Sequence, residues 1–517
     1  MECKIVSGSV LLCETVLDTT AEQPVDAEFT LPDYCPDIGR ILKCRALPHI
    51  TVKECVGEAI RIEGVTRLDV IYQEGCEGCG KNVRCCRYEL PFAASIPAAG
   101  CGEGAKVSAR VRVDYVNCRA SSQRRVDIHG AFTLHVKASV SKQYDVISGA
   151  EGAGVHTRTQ PVAADQFAGR AQSSFTVSEA LELAQGKPPI SSVIRSEAVI
   201  NVIECKPIAN KLILKGEAVL EVVYCTDTGT RPESMEYVIP FNQFIDLSGV
   251  DDSCLLDCAA EAKAVTISLR TDSDGEYRRL QADIAAEADI KAYRRTTLPV
   301  VRDAYSTECE LELERKYITA EQFAGQQSGR CMAGGLLETP REISEVLDAW
   351  CEVTSVSGEA KGGRAAINGN MMVCAIVRLA DGDCEYLEKS CPFDSDASLP
   401  AGVEEAAECR MEVNARVRNC TCTLSGASKV DMRAETEYSA AVYCGEQLGC
   451  VTSIKPDESR KKSGEERPAL VIYCADSGEE LWSIAREFNT TVECIMEDND
   501  LDGEQLSESR LLLISAK

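Results

Sequence analysis

The chain is poor in the residues that most often carry out chemistry or read polymers. Its 517 residues include four histidines, two tryptophans and only 5% aromatics. The histidines are His49, His129, His135 and His156, so the C-terminal two thirds contain none. His129 and His135 flank the strand-like run GAFTL and read as structural. There is no G-x-S-x-G elbow, no P-loop and no H-E-x-x-H pair. No carboxylate pair stands out, and nothing marks the protonated acid in a dry site that a glycosidase needs. An enzyme is therefore not expected, and no cofactor is implied. Few aromatics leave little surface for stacking bases or sugars. Basic residues are also in deficit: 55 Lys and Arg face 82 Asp and Glu, a net charge of −27. That charge repels nucleic acid and anionic membranes, which leaves a basic or neutral protein surface as the natural partner. No run approaches the roughly 18–20 apolar residues of a membrane span, so no membrane insertion is expected. The opening MECKIVSGSVLLCE has a short apolar run, no good cleavage site and an early Glu14. It does not read as a signal peptide, and the chain is expected to stay in the cytosol.

Cysteine, by contrast, is plentiful, with 28 residues. In a reducing compartment most should be free thiols. Many sit in strand-like runs, Cys205 in AVINVIEC and Cys374 in NMMVCAIV, where a thiol packs as a small apolar group. One cluster is a weak metal candidate: Cys76, Cys79 and Cys85, since C-x-x-C can hold a tetrahedral zinc ion. Adjacent cysteines such as Cys85 and Cys86 rarely ligate one ion together, and the cluster occurs once, so it reads as a cysteine-rich loop.

The length suggests about three to five domains, and the 44% hydrophobic content supports packed cores. A pattern recurs every 150 residues or so. Pro36-Asp37-Ile38-Gly39-Arg40-Ile41-Leu42 returns as Pro189 to Ile194 and again as Glu342 to Leu347. Gly64, Gly216 and Gly369 each lead an apolar strand, and Pro91-Phe92, Pro240-Phe241 and Pro392-Phe393 follow. Arg124-Arg125 and Arg278-Arg279 precede another strand, where the third copy has Ser428-Lys429. Within a copy the period is mostly two, as in Val107–Val116, which is the signature of half-buried strands. Short helical turns are expected near Asp37–Leu42 and its equivalents. The expected organisation is three mainly-β, antiparallel sandwich-like repeats at 1–150, 151–298 and 299–452. A polar linker at 453–468 and a small α+β module at 469–517 complete it.

That last module reads strand, helix, helix, strand. Leu470–Tyr473 opens it and Leu511–Ile514 closes it. Ser477 with Glu480, and Thr490 with Glu493, have capping-box spacing. Leu481, Ile484, Ala485 and Phe488 share one helical face. Tyr473, Gly478-Glu479-Glu480-Leu481-Trp482-Ser483-Ile484-Ala485, Phe488 and Asn499 closely resemble the LysM pattern. The resemblance implies a groove bordered by Gly478, Glu479, Glu480 and Leu481 on one side and by Asn499, Asp500, Leu501 and Glu508 on the other. LysM modules that bind N-acetylglucosamine polymers use such a groove. Here the family's Asp-Thr is Glu479-Glu480 and its Pro-Gly-Gln is Ser507-Glu508-Ser509, and from Ala469 onward eleven acids face three bases. An acidic groove suits anionic wall polymers poorly. The position of Trp482 in the helix pattern marks a core or half-buried residue rather than a sugar platform.

Leu31–Leu42 and Val116-Asn117-Cys118-Arg119-Ala120 resemble the opening of a domain that recurs in clostridial sporulation proteins, where several copies precede a terminal LysM module. The resemblance implies a scaffold of spore coat assembly, placed in the mother-cell cytoplasm at the forespore and spore coat surface. It also implies docking on the coat morphogenetic ATPase or another coat protein, with peptidoglycan as the alternative partner.

Overall fold

The computed structural model describes residues 3–75, 81–102, 104–152, 154–226, 231–361, 363–400, 403, 409–462 and 470–515. It is almost entirely antiparallel β, in three units of one topology followed by the small module.

The first unit holds β1 (Lys4–Thr30), β2 (Ile38–Val56), β3 (Ala59–Glu74), β4 (Val83–Pro97), β5 (Lys106–Ser122) and β6 (Arg125–Glu151). One sheet has the order β1-β6-β5 and the other β2-β3-β4. The sheets stack as a sandwich: Ile60, Ile62 and Leu68 of β3 face Phe132, Leu134 and Val136 of β6 in one core. The second unit repeats this with β7 (Val155–Glu182), β8 (Ser192–Ile208), β9 (Lys211–Cys225), β10 (Glu233–Asp246), β11 (Cys254–Arg270) and β12 (Arg279–Ser306). The third does so with β13 (Cys309–Glu338), β14 (Ile343–Lys361), β15 (Arg364–Leu379), β16 (Cys384–Ser398), β17 (Cys409–Leu424) and β18 (Lys429–Lys461). In each unit the first long strand pairs with the last, so Lys4 lies opposite Glu151 and Val155 opposite Ser306.

The repeated glycine and Pro-Phe motifs now have a cause. Gly64 faces Phe92, Gly216 faces Phe241 and Gly369 faces Phe393 across neighbouring strands. A Cβ at any of the three would overlap the ring edge and the carbonyl of His49, Asn201 or Ser355 on the other side. The aromatic ring fills the gap that a missing side chain leaves. The arginine ahead of β6 clamps the segment that crosses between sheets. Arg124 donates to the carbonyls of Pro32 (2.8 Å) and Cys35 (3.2 Å) and to the Asp37 carboxylate (2.8 Å). Arg278 donates to the Lys187 carbonyl at 2.8 Å in the second unit.

Three expectations give way. The stretch around Asp37–Leu42 is extended rather than helical, because β2 begins at Ile38 and pairs with β3 from its first residue. The polar segment from Ser453 is strand as far as Lys461: Ile454 pairs with Leu313, and Asp457 with Glu310. Its charges hid a ladder supplied by a partner strand more than a hundred residues away. The strands of the second unit likewise run on to Ser306, past the boundary expected at 298. Residues 463–469 lie outside the described residues.

The three units meet around a buried charge cluster. Arg195, 1% exposed, donates to Asp348 at 3.0 and 3.1 Å and to Glu221 at 2.9 and 3.1 Å. Arg45 of the first unit pairs with Glu197 of the second and, at 2.7 Å, with Glu352 of the third. Trp350 donates its indole N–H to Glu352 at 2.9 Å. Leu42, Ile71, Ile194, Val223, Leu347 and Ile376, two from each unit, pack beside the cluster. The long strands form a second junction, where Val10, Val146, Val162, Val300 and Cys450 share an apolar cluster.

Candidate docking module

The small module contains β19 (Leu470–Ala475), α1 (Leu481–Phe488), α2 (Val492–Asn499) and β20 (Arg510–Ser515). Leu481, Ile484 and Ala485 of α1 and Ile495 of α2 close its core against Ala475, Leu512 and Ile514. The α1 cap is Glu480, whose side chain makes no cap hydrogen bond. The hydroxyl of Ser477 donates instead to the Ser507 carbonyl at 3.0 Å, so the first expected capping box does not form. α2 is capped one residue later than expected, by Thr491, whose hydroxyl accepts from the Cys494 N–H at 3.0 Å.

The two groove loops lie side by side. Gly478 N–H donates to the Leu506 carbonyl (2.8 Å), Leu506 N–H to that of Glu479 (3.3 Å) and Leu481 N–H to that of Glu504 (3.0 Å). Gly478, at φ +88° in open space, makes the turn that allows this pairing. The predicted site residues then take different roles. Glu479 accepts the Tyr473 hydroxyl at 2.8 Å and the Asp476 N–H at 3.0 Å. Leu481 is fully buried and anchors α1, so its side chain faces no partner. Asn499 ties α2 to β20, donating to the carbonyls of Ile495 (2.8 Å) and Leu513 (2.7 Å) and accepting the Leu513 N–H (2.7 Å). Asp500 is the left-handed C-cap of α2 at φ 49°, and Leu501 packs on the core. Glu508 is exposed on the second loop.

Sequence reasoning did not reveal that this module docks on the repeats. Arg158 of β7 forms a two-pronged ion pair with Glu480, at 2.5 and 3.0 Å. The guanidinium hydrogen bond holds the Glu480 carboxyl below its ordinary range. Asp303 of β12 accepts the indole N–H of Trp482 at 3.1 Å and the Arg486 guanidinium at 2.9 Å. Tyr305 packs edge-on against Trp482 with ring centres 4.8 Å apart, and its hydroxyl donates to the Thr490 carbonyl at 2.9 Å. Trp482 is therefore a junction residue, 8% exposed.

The opposite face is bare. Side chains alternate across β19 and β20, and those pointing away from the helices are apolar. Leu470 is 54%, Ile472 65%, Leu511 66% and Leu513 42% exposed. Ile472 lies directly opposite Leu513, and Cys474 opposite Leu511. Soluble surfaces seldom group large apolar side chains in this way without a partner.

The weak metal candidate is only partly among the described residues. Cys76 and Cys79 lie outside the described residues. Burial pushes the Cys85 thiol up, with nearby Asp69 adding to the effect. No group of three or more metal-ligating side chains occurs among the described residues. No helix among them is long and apolar enough to cross a membrane.

The SipL, SPOCS domain family matches residues 37–121 and 189–269, and the LysM domain family matches residues 476–513. The two SPOCS matches followed by a C-terminal LysM match give the order of repeated domains ahead of a terminal LysM module that the sequence resemblance implies. The SPOCS spans correspond to β2–β5 and β8–β11, the β2-β3-β4 or β8-β9-β10 sheet plus the next strand of the first two units. The third unit, where Ser428-Lys429 replaces the double arginine, has the same strand order but lies outside the SPOCS match. No curated protein and no solved structure matches the chain. SPOCS and LysM domains are both non-catalytic binding domains.

Proposed function

We propose that this chain is a non-catalytic scaffold in spore coat assembly, and that its LysM module docks it on the coat morphogenetic ATPase at the forespore surface in the mother-cell cytoplasm. The observation that carries this reading is the bare apolar face of the LysM sheet, Leu470, Ile472, Leu511 and Leu513. It is turned away from the contacts that fix the module to the repeats. A protein surface can cover such a face, whereas a sugar polymer gains little from it. The acidic surroundings favour a partner patch ringed with basic residues.

The competing reading is retention of peptidoglycan or another N-acetylglucosamine polymer in the loop groove, favoured by the LysM match over residues 476–513. The two are separated by pull-down of the full chain with the purified ATPase and, in parallel, with peptidoglycan. Loss of ATPase capture in Ile472→Asp and Leu513→Asp, with peptidoglycan not retained, supports the scaffold. Peptidoglycan retention that survives these changes and disappears on altering Gly478–Glu480 overturns it.

A further inference from the structure

Each unit has a seam where its two sheets meet edge to edge, β2 against β5, β8 against β11 and β14 against β17. These edges belong to separate sheets, without a hydrogen-bonded ladder between them. A pair of cysteines spans every one of the seams. In the third unit Cys351 of β14 and Cys420 of β17 have sulfurs 3.0 Å apart. In the first, Cys44 of β2 and Cys118 of β5 are in side-chain contact. In the second, Cys205 of β8 and Cys258 of β11 are as well. All six belong to the sandwich cores of their units.

The three pairs do not stand at equivalent positions in their units. Cys44 lies opposite Val70, Cys205 opposite Leu214 and Cys351 opposite Val373. Measured from the shared Gly64, Gly216 and Gly369, these are three different rungs. Small apolar packing alone would put single cysteines at scattered core positions. Paired thiols at the same seam, reached from three different rungs, call for a use of the pair.

We propose that each repeat carries a latent disulfide across its sheet seam, Cys44–Cys118, Cys205–Cys258 and Cys351–Cys420, which closes by exchange with a small-molecule disulfide. In the third unit the partly exposed Cys420 attacks one sulfur of that disulfide as a thiolate. A mixed disulfide forms and one small thiolate leaves. Cys351 then gives up its proton and attacks the Cys420 sulfur, and the second small thiolate leaves. The protein pair has lost two electrons, the small disulfide has gained them, and the two protons end on the released thiols. Contact between the two sulfurs couples the Cys351 and Cys420 thiols. The linkage would turn each sandwich from two packed sheets into one covalent frame, whichever partner the LysM module takes.

The test uses the full chain, reduced, freed of reductant and then exposed to glutathione disulfide. Peptides from a non-reducing digest are identified by mass spectrometry. The expected products are three linked peptide pairs joining 44 to 118, 205 to 258 and 351 to 420, beside the Cys409–Cys444 pair that the structure already joins. Cys420→Ala should lose only the third link and leave the other two intact. The oxidised wild type should also melt at higher temperature than the reduced protein. An unchanged free-thiol content, stable glutathione adducts at these six positions, or a scrambled set of links would overturn the proposal, and none of these outcomes depends on a variant folding.

Discussion

Asp303 accepts the indole N–H of Trp482 across 3.1 Å, which fixes the tryptophan of the LysM motif to the last strand of the second unit. The same carboxylate receives Arg486 and, at 2.7 Å, Arg315. The LysM module is thus held by its first helix, and the free surface it offers is its sheet.

Removing that acceptor should loosen the module without unfolding the repeats. Asp303→Ala leaves the indole N–H and two guanidinium groups short of a partner, at a cost of about 1–3 kcal/mol to docking. Hydrogen exchange should rise in Leu481–Phe488 and stay unchanged in β3, β9 and β15. Arg158→Ala removes a half-exposed ion pair and should cost less, about 0–1 kcal/mol.

Alanine at Gly64, Gly216 or Gly369 should destabilise the unit concerned. The new methyl must displace both a phenylalanine ring and a strand carbonyl. Overpacking of this kind costs about 1–3 kcal/mol or more. Denaturant midpoints should fall for all three variants, and Phe92→Leu should partly rescue Gly64→Ala by clearing the ring edge.

Acid should weaken the junctions between units. Burial pushes the Glu197 carboxyl up, but Arg45 and Arg195 outweigh it and hold it at about 2. Burial also raises Glu412, and Lys291 and Arg410 together bring it to about 2. An unfolded glutamate titrates near about 4.3. A depressed folded value means these pairs contribute fully above that pH and lose their contribution as pH falls from there towards 2. Melting temperature should drop steeply over that window, and Glu197→Gln with Glu412→Gln should flatten the slope.

Asn499 separates a structural role from a binding one. Its amide makes two hydrogen bonds that join α2 to β20 and a third within α2, to the Ile495 carbonyl. Asn499→Ala should lower the melting temperature of the LysM module, costing about 1–3 kcal/mol. Partner capture per folded molecule should be unchanged. A selective loss of capture at full stability would instead place Asn499 in the docking surface.

Much of this architecture is legible in sequence because it is local. Gly64 and Phe92 are one strand apart, so their spacing recurs visibly with each unit. Trp482 follows a helix period, and its buried position can be read from it. The features that escape reading depend on distant partners. Ser453–Lys461 carries charges suited to a linker, and only β13 reveals it as strand. Glu480 reads as an open groove residue until Arg158, which belongs to another unit, arrives beside it. The outer face of β19 and β20 was within reach, since Leu470, Ile472, Leu511 and Leu513 alternate, but alternation does not say which face remains uncovered.

The pairing of Lys4 with Glu151 has a consequence in time. A ribosome adds about 5–20 residues per second. The first strand therefore emerges roughly 7–30 s before the strand that completes its sheet. During that interval 27 residues of β1 form an unsatisfied edge in a crowded cytosol. Each unit must pass through such a wait in turn, so synthesis of this chain exposes three long sticky edges one after another, and a holding chaperone would have three successive moments at which to act.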